Sequence, residues 1–346
     1  MSADLLAPRE LAITFDDGAT VAARRYDPPA SHESRATLLC LPALGVQAAY
    51  YEPLAQAFSA AGLATVTVDQ RGNGRSSVRA GRGADFDYAR LVADAAQVVR
   101  AVRAQGNAPL YGFGHSLGGH VAALLAGREP AAFDGLVLCA CGTPYARCFP
   151  LPTGLFVFAL SLAAGSLGPL VGHFPGERLG FGGREAASLM REWGRLARGG
   201  RFEVGGFDAE ATLAEVRLAT LTISLAHDHM APPAAVEHLA GKLRAARRTH
   251  VHLDETHAER RALDHFRWAK SPAAVVATVQ DWLGRSGLSA DRPDRFRGTS
   301  AASRGFPDSA AGCSPASGSS GSRPGTRPGG SARLAVAAPS RTRNRC

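Results

Sequence analysis

Between residues 10 and 26, apolar and polar side chains alternate in two runs around Asp16-Asp17-Gly18, which predicts a hairpin. Thr37 to Leu41 and Leu63 to Val68 are continuous apolar runs, the pattern of buried strands. Between them, Tyr51 to Ala61 reads as a helix, with Leu54 and Phe58 one turn apart and Gly62 placed to end it. Tyr88 to Gln105 is an amphipathic helix, with Leu91, Ala95, Val98, Val99 and Val102 facing in and Arg90, Asp94, Arg100 and Arg103 facing out. A short apolar strand from Pro109, a helix reaching Gly127 and a buried strand from Gly135 to Ala140 follow. The alternation returns with a strand from Ala219 to Leu225, a helix from Pro233, a strand from Thr249 to Leu253 and a last helix ending at Trp282-Leu283. Strand alternating with helix predicts a mostly parallel central sheet with helices on both faces, an α/β fold.

Two stretches leave this pattern. From Cys148 to Gly176 the chain carries no charge and shows no strand period, and an Arg/Glu-rich helix follows around Arg184 to Arg198. Pro150, Pro152, Gly154, Gly165, Gly168 and Pro169 are expected to break the uncharged run, leaving about a dozen clean apolar residues against the ~20 that a membrane span needs. A helical cap over an apolar pocket is therefore predicted, with membrane contact through the cap as the weaker reading. From Gly284 onward Ser, Gly, Pro, Ala and Arg dominate, too little apolar surface to offset ordering entropy, so a disordered tail is expected. The predicted organisation is a core in two parts, 1–147 and 211–284, a helical cap or lid at 148–210 and the tail at 285–346.

Charge and cysteine usage then narrow the function classes. The 346 residues carry a formal charge of +9, but eleven Arg and three Asp lie between Arg285 and Cys346, so the rest is nearly neutral. A near-neutral body lacks the basic face of a nucleic-acid-binding fold. Six cysteines show no C-x-x-C and no framework spacing, and Cys40, Cys139 and Cys141 fall in apolar strands as small hydrophobes. The start of the chain, with Asp4 and Glu10, does not read as a signal peptide. A reducing, cytoplasmic compartment is expected.

The chemistry centres on Gly114-His115-Ser116-Leu117-Gly118, between the Pro109 strand and its helix. G-x-S-x-G in that context is a nucleophile elbow, which pushes the serine hydroxyl out at the top of the sheet. Gly114 and Gly118 remove β-carbons where backbones nearly touch, and the free N–H groups of the new helix favour negative charge beside the serine. A serine hydroxyl is a poor nucleophile without a positioned base.

At this point the chain resembles the α/β-hydrolase superfamily over residues 10–284. Leu41-Pro42-Ala43-Leu44-Gly45, Asp69-Gln70-Arg71-Gly72-Asn73-Gly74-Arg75-Ser76, His173-Phe174-Pro175-Gly176 with Leu179-Gly180, and Glu192-Trp193 are similar to a bacterial group of serine α/β hydrolases related to the monoacylglycerol-lipase and serine-aminopeptidase type. The resemblance implies Ser116 as nucleophile, then an acid after the strand ending at Leu225, then a histidine. Asp228 fits the acid, with Asp254 as runner-up; His265, in Leu263-Asp264-His265-Phe266-Arg267-Trp268, is favoured as base over His257. An oxyanion hole would use the Leu117 N–H and one from the loop after Leu41, where Pro42 cannot donate, leaving Leu44 or Ala43. Asp69 and Arg71 read as braces of their turn, and His115 and His120 as packing or pocket residues. His227-x-His229 and His250-x-His252-x-Asp254 lack the surroundings of a metal centre, so neither metal nor cofactor is expected. The resulting expectation is a serine hydrolase acting on a carboxylic ester or thioester of a fairly apolar small molecule, with no nucleic-acid partner. An acyltransferase with the same triad, or a non-catalytic binding protein on the same fold, is the alternative.

Overall fold

The computed structural model describes residues 7–29 and 34–285, so nearly all of the predicted tail lies outside the described residues. The Asp16-Asp17-Gly18 turn joins β1 (Arg9–Thr14) to β2 (Thr20–Tyr26) as an antiparallel pair. β3 (Thr37–Leu41) follows, then α1 (Glu52–Ala60), β4 (Ala64–Val68), α2 (Tyr88–Arg103), β5 (Leu110–His115), α3 (Leu117–Arg128) and β6 (Gly135–Cys139). Beyond these come α4 (Leu151–Val171), the two-residue β7 (Phe174–Pro175), α5 (Gly176–Leu179), the two-residue β8 (Arg184–Glu185) and α6 (Ala187–Gly199). The chain then forms α7 (Ala209–Ala214), β9 (Ala219–Leu225), α8 (Pro233–Lys242), β10 (Arg247–Leu253) and α9 (Ala273–Arg285).

Eight strands form one sheet in the order β1-β2-β4-β3-β5-β6-β9-β10, antiparallel through β1, β2 and β4 and parallel from β4 to β10. The strand order reverses direction between β3 and β5, whose last residues are in register as Leu41 opposite Gly114. Ligands of open α/β sheets bind beyond the carboxyl ends of the strands at such a switch point. The fully buried β3, β4, β5, β6 and β9 account for the unbroken apolar runs, because both sheet faces are covered. One apolar cluster joins the sheet to α2 and α3, including Leu91, Val98, Val121 and Leu125. A second joins it to α1 and α9, including Leu54, Phe58, Val279 and Trp282.

The uncharged stretch corrects an expectation. Its prolines and glycines do not break it; Leu151–Val171 is one helix of 21 residues, about 31 Å long. Pro152 sits in the first turn, where a missing N–H is harmless, and Gly172 ends the helix in the left-handed conformation at φ +87°. Two of its glycines, Gly154 and Gly168, sit where a β-carbon would clash. A β-carbon on Gly168 would come 2.6 Å from the Ala187 Cβ, and one on Gly194 of α6 would come 2.7 Å from the Ser161 carbonyl. Small residues thus let α4 and α6 close on a third cluster, with Leu160, Ala164, Phe174, Met190 and Trp193. The opposite face stays open: Leu151, Leu155, Phe156 and Leu170 are each more than 60% exposed. This is the one helix among the described residues long and apolar enough to cross a membrane. β7 and β8 pair antiparallel within the stretch read as strandless, Phe174 opposite Glu185.

Candidate active site

The turn after β5 is as tight as its glycines imply. Ser116 sits at φ +51°, ψ −120°, a strained conformation for a residue with a β-carbon, and Leu117 opens α3 directly after it. A β-carbon on Gly114 would lie 2.3 Å from the Gly119 Cα, so strand and helix backbones touch there. Gly118 permits a different approach: a β-carbon would lie 2.1 Å from the Leu41 carbonyl oxygen and 2.7 Å from that of Pro42. The loop after β3 is thereby seated on the first turn of α3.

Three other strand ends bring their loops to this point. Asp228 follows β9 and is buried; its Oδ1 accepts from the N–H groups of Met230 and Ala231, both at 2.8 Å. Its Oδ2 accepts from His265 Nδ1–H at 2.8 Å, and the two side chains are 0% and 6% exposed. That bond fixes the tautomer, leaving Nε2 of His265 as a proton acceptor. The His265 backbone is held in turn by Trp268, whose indole N–H donates to its carbonyl at 2.9 Å. Ser116, Leu117, Ala43, Leu44 and His265 line one cavity of about 540 Å³, mouth included, which Phe181, Gly182 and Trp193 of the 148–210 segment help to close.

The structure also separates the runners-up. Asp254 and His257 pair with each other at 2.8 Å, 43% exposed, and neither lines the cavity. Bonds from Thr256, then from His257, hold the Asp254 carboxyl down at about 2. His227 pairs with Glu255 at 2.6 Å, while His250 Nε2 and His252 Nδ1 share the Ser224 hydroxyl. No group of three or more metal-ligating side chains converges among the described residues. In the loop after β3, Ala43 N–H is already committed to the Tyr51 hydroxyl at 2.9 Å, which leaves Leu44 as the candidate donor beside Leu117.

Two buried imidazoles surround the elbow. His115 Nδ1 meets the Tyr51 hydroxyl at 2.7 Å, and its ring centroid is 4.9 Å from that of His265. Burial first, and the charge of His265 second, hold it well below the ordinary histidine range, so it stays neutral behind the His265 ring. His120 lines the cavity, with Nδ1 3.1 Å from the Tyr88 hydroxyl and Nε2 3.0 Å from the Gly142 carbonyl. Burial pushes it down to about 4. Because the unfolded imidazole titrates near 6.5, the folded state binds fewer protons between those values. Its contribution to stability is therefore present above pH ~6.5 and is lost as the pH falls toward 4. We expect the melting temperature of His120→Gln to fall less than that of the wild type between pH 7 and 4.5 in thermal melts.

Arg71 and Asp69 act as braces. Arg71 forks onto both oxygens of Asp94, at 2.6 and 3.0 Å, and reaches Asp17. Asp69 accepts from the N–H groups of Ala48 and Arg75. Two features were not legible beforehand: the Tyr51 hydroxyl under the β3 loop and the buried Glu185 carboxylate beside it. Both arise from contacts between distant segments that leave no local spacing.

The family model described as serine aminopeptidase, S33, matches residues 32–172. No curated protein matches the chain. Among solved structures, a hydrolase from Pseudomonas aeruginosa PA01 is 23% identical, with 82% of this chain and 100% of that one covered at a TM-score of 0.52. An enol-lactonase from Burkholderia xenovorans LB400 is 19% identical, with 80% and 100% covered and a TM-score of 0.51. An esterase from Pyrococcus furiosus is 16% identical, with 81% and 91% covered and a TM-score of 0.53. The elbow, the sheet order and these likenesses agree on one point: the chain has the α/β-hydrolase fold, and its residues 32–172 are similar to the serine aminopeptidase, S33, family.

Proposed function

We propose that the protein is a serine hydrolase that cleaves a carboxylic ester or thioester with a fairly apolar acyl or alcohol part, through an acyl-enzyme on Ser116. The observation that carries this reading is the buried His265–Asp228 pair, whose imidazole lines the same cavity as the strained Ser116 at the start of α3. His265 Nε2 takes the Ser116 hydroxyl proton as Oγ attacks the substrate carbonyl, and Asp228 stabilises the imidazolium that forms. The carbonyl oxygen gains its charge where the Leu117 and Leu44 N–H groups can donate to it. As the tetrahedral intermediate collapses, His265 hands its proton to the leaving alcohol or thiol. Water then repeats the sequence on the acyl-enzyme, with His265 again as base. The neutral His115 matters here, because a second positive charge beside the ring would oppose the imidazolium.

The apolar cavity wall, with Leu44, Phe181, Trp193 and Phe266, supports an apolar substrate. The serine-aminopeptidase family match and the fold shared with an esterase and a lactonase support the same reaction type. The test is labelling of the pure protein by a fluorophosphonate. Labelling is expected in the wild type and in His257→Ala, and is expected to disappear in Ser116→Ala and His265→Ala. Labelling that survives Ser116→Ala overturns the assignment.

A further inference from the structure

One buried carboxylate has no part in the steps above. Glu185 on β8 is 1% exposed, its carboxylate held by hydrogen bonds rather than by a cation. Its Oε1 accepts from the Gly183 N–H at 2.7 Å, and the Asn73 side chain also bonds to the carboxylate. Burial outweighs these bonds and, with the like charge of Glu177, raises the carboxyl to about 7.

The geometry lies against the proposed oxyanion loop. Gly45, at φ +73°, has no room for a side chain: a β-carbon would sit 2.4 Å from the Gly183 nitrogen, 2.8 Å from the Gly182 carbonyl carbon and 3.0 Å from Glu185 Oε1. A β-carbon on Gly182 would sit 3.0 Å from the Leu44 Cδ2. The turn from Phe181 to Glu185 therefore presses directly on Leu44-Gly45, and Gly182 and Leu44 meet in the cavity wall. We propose that Glu185 is a positioning residue that clamps this turn onto Leu44-Gly45 and so fixes the direction of the Leu44 N–H. Asn73 ties the clamp to the loop after β4, so three segments meet on one carboxylate. This inference rests on the serine-hydrolase reading, and specifically on Leu44 as an oxyanion donor.

A trifluoromethyl ketone, which adds to the serine as a tetrahedral oxyanion, reads the donor separately from ground-state binding. In Glu185→Ala, kcat for a short p-nitrophenyl ester should fall ~10–100-fold, as expected for a displaced donor. KM should stay within about 3-fold, and the ketone should bind more weakly by a factor similar to the loss in kcat. Glu185→Gln keeps the acceptor for Gly183 and should restore most of both. If Glu185→Ala does not fold, Asn73→Ala, which removes only one donor to the carboxylate, should give the same split at about 3-fold. Unchanged ketone binding in these variants, or a change confined to KM, overturns the proposal. A wild type that no fluorophosphonate labels would instead overturn the hydrolase reading on which it rests.

Discussion

Ser116→Ala is expected to lower kcat toward p-nitrophenyl esters by about 10⁶-fold, and His265→Ala by about as much. The double variant should be no worse than either alone, because nucleophile and base act as one unit. Asp228→Asn should cost less, ~10⁴-fold, and for a different reason. An amide at that position can donate to Nδ1 of His265, which turns the ring to the tautomer with its proton on Nε2, unable to accept from Ser116. The geometry makes this a sharp test, because Oδ1 of Asp228 is already fixed by Met230 and Ala231, so the amide nitrogen is steered toward the imidazole. KM should move little in all three, since none of these groups is expected to contribute much to ground-state binding. Initial rates across the variants decide it: full activity in Asp228→Asn would falsify the assigned roles.

What the sequence reveals of this site follows from how local each part is. The elbow is legible because five consecutive residues between a strand and a helix fix its shape, and Ser116 adopts the positive φ that the motif requires. The placement of Asp228 and His265 after β9 and β10 follows from chain order, and the pairing of Asp254 with His257 shows why order alone left an alternative. Those two residues make an equally short bond, but in the open and away from the cavity. Propensity alone predicts a break at Pro150, Pro152, Gly154, Gly165, Gly168 and Pro169, yet 151–171 is one helix. Gly154 faces the Ala146 carbonyl and Gly168 faces Ala187 at distances that admit no side chain, so tertiary packing decides these residues and propensity does not. Glu185 and Tyr51 carried no signal at all. Their importance comes from which distant loop they touch, and that is settled only once β3, β5 and the 181–185 turn have met.

Gly118→Ala is expected to be the most damaging small substitution on stability. Its added carbon would stand 2.1 Å from the Leu41 carbonyl oxygen, 2.5 Å from its carbon and 2.7 Å from the Pro42 oxygen, all of them backbone atoms at the end of a central strand. No rotamer change relieves that contact, so either α3 or the β3 loop must shift. Overpacking against side chains typically costs 1–3 kcal/mol, and a backbone that cannot yield pushes the cost to about 3–5 kcal/mol. A melting temperature lower by roughly 10 °C follows for a domain of this size. Gly165→Ala in α4 is the matched control: a β-carbon there meets nothing within 4 Å, and the helix interior favours alanine by about 0.5–1 kcal/mol. The control should melt at or slightly above the wild-type temperature. Whatever Gly118→Ala protein remains folded should also have lost kcat, because the displaced segment is the one that carries Leu44. Parallel melts and rates on the two variants separate these effects. A Gly118→Ala protein that melts within 2 °C of the wild type and keeps its rate would mean that the β3 loop is not seated on α3 as described.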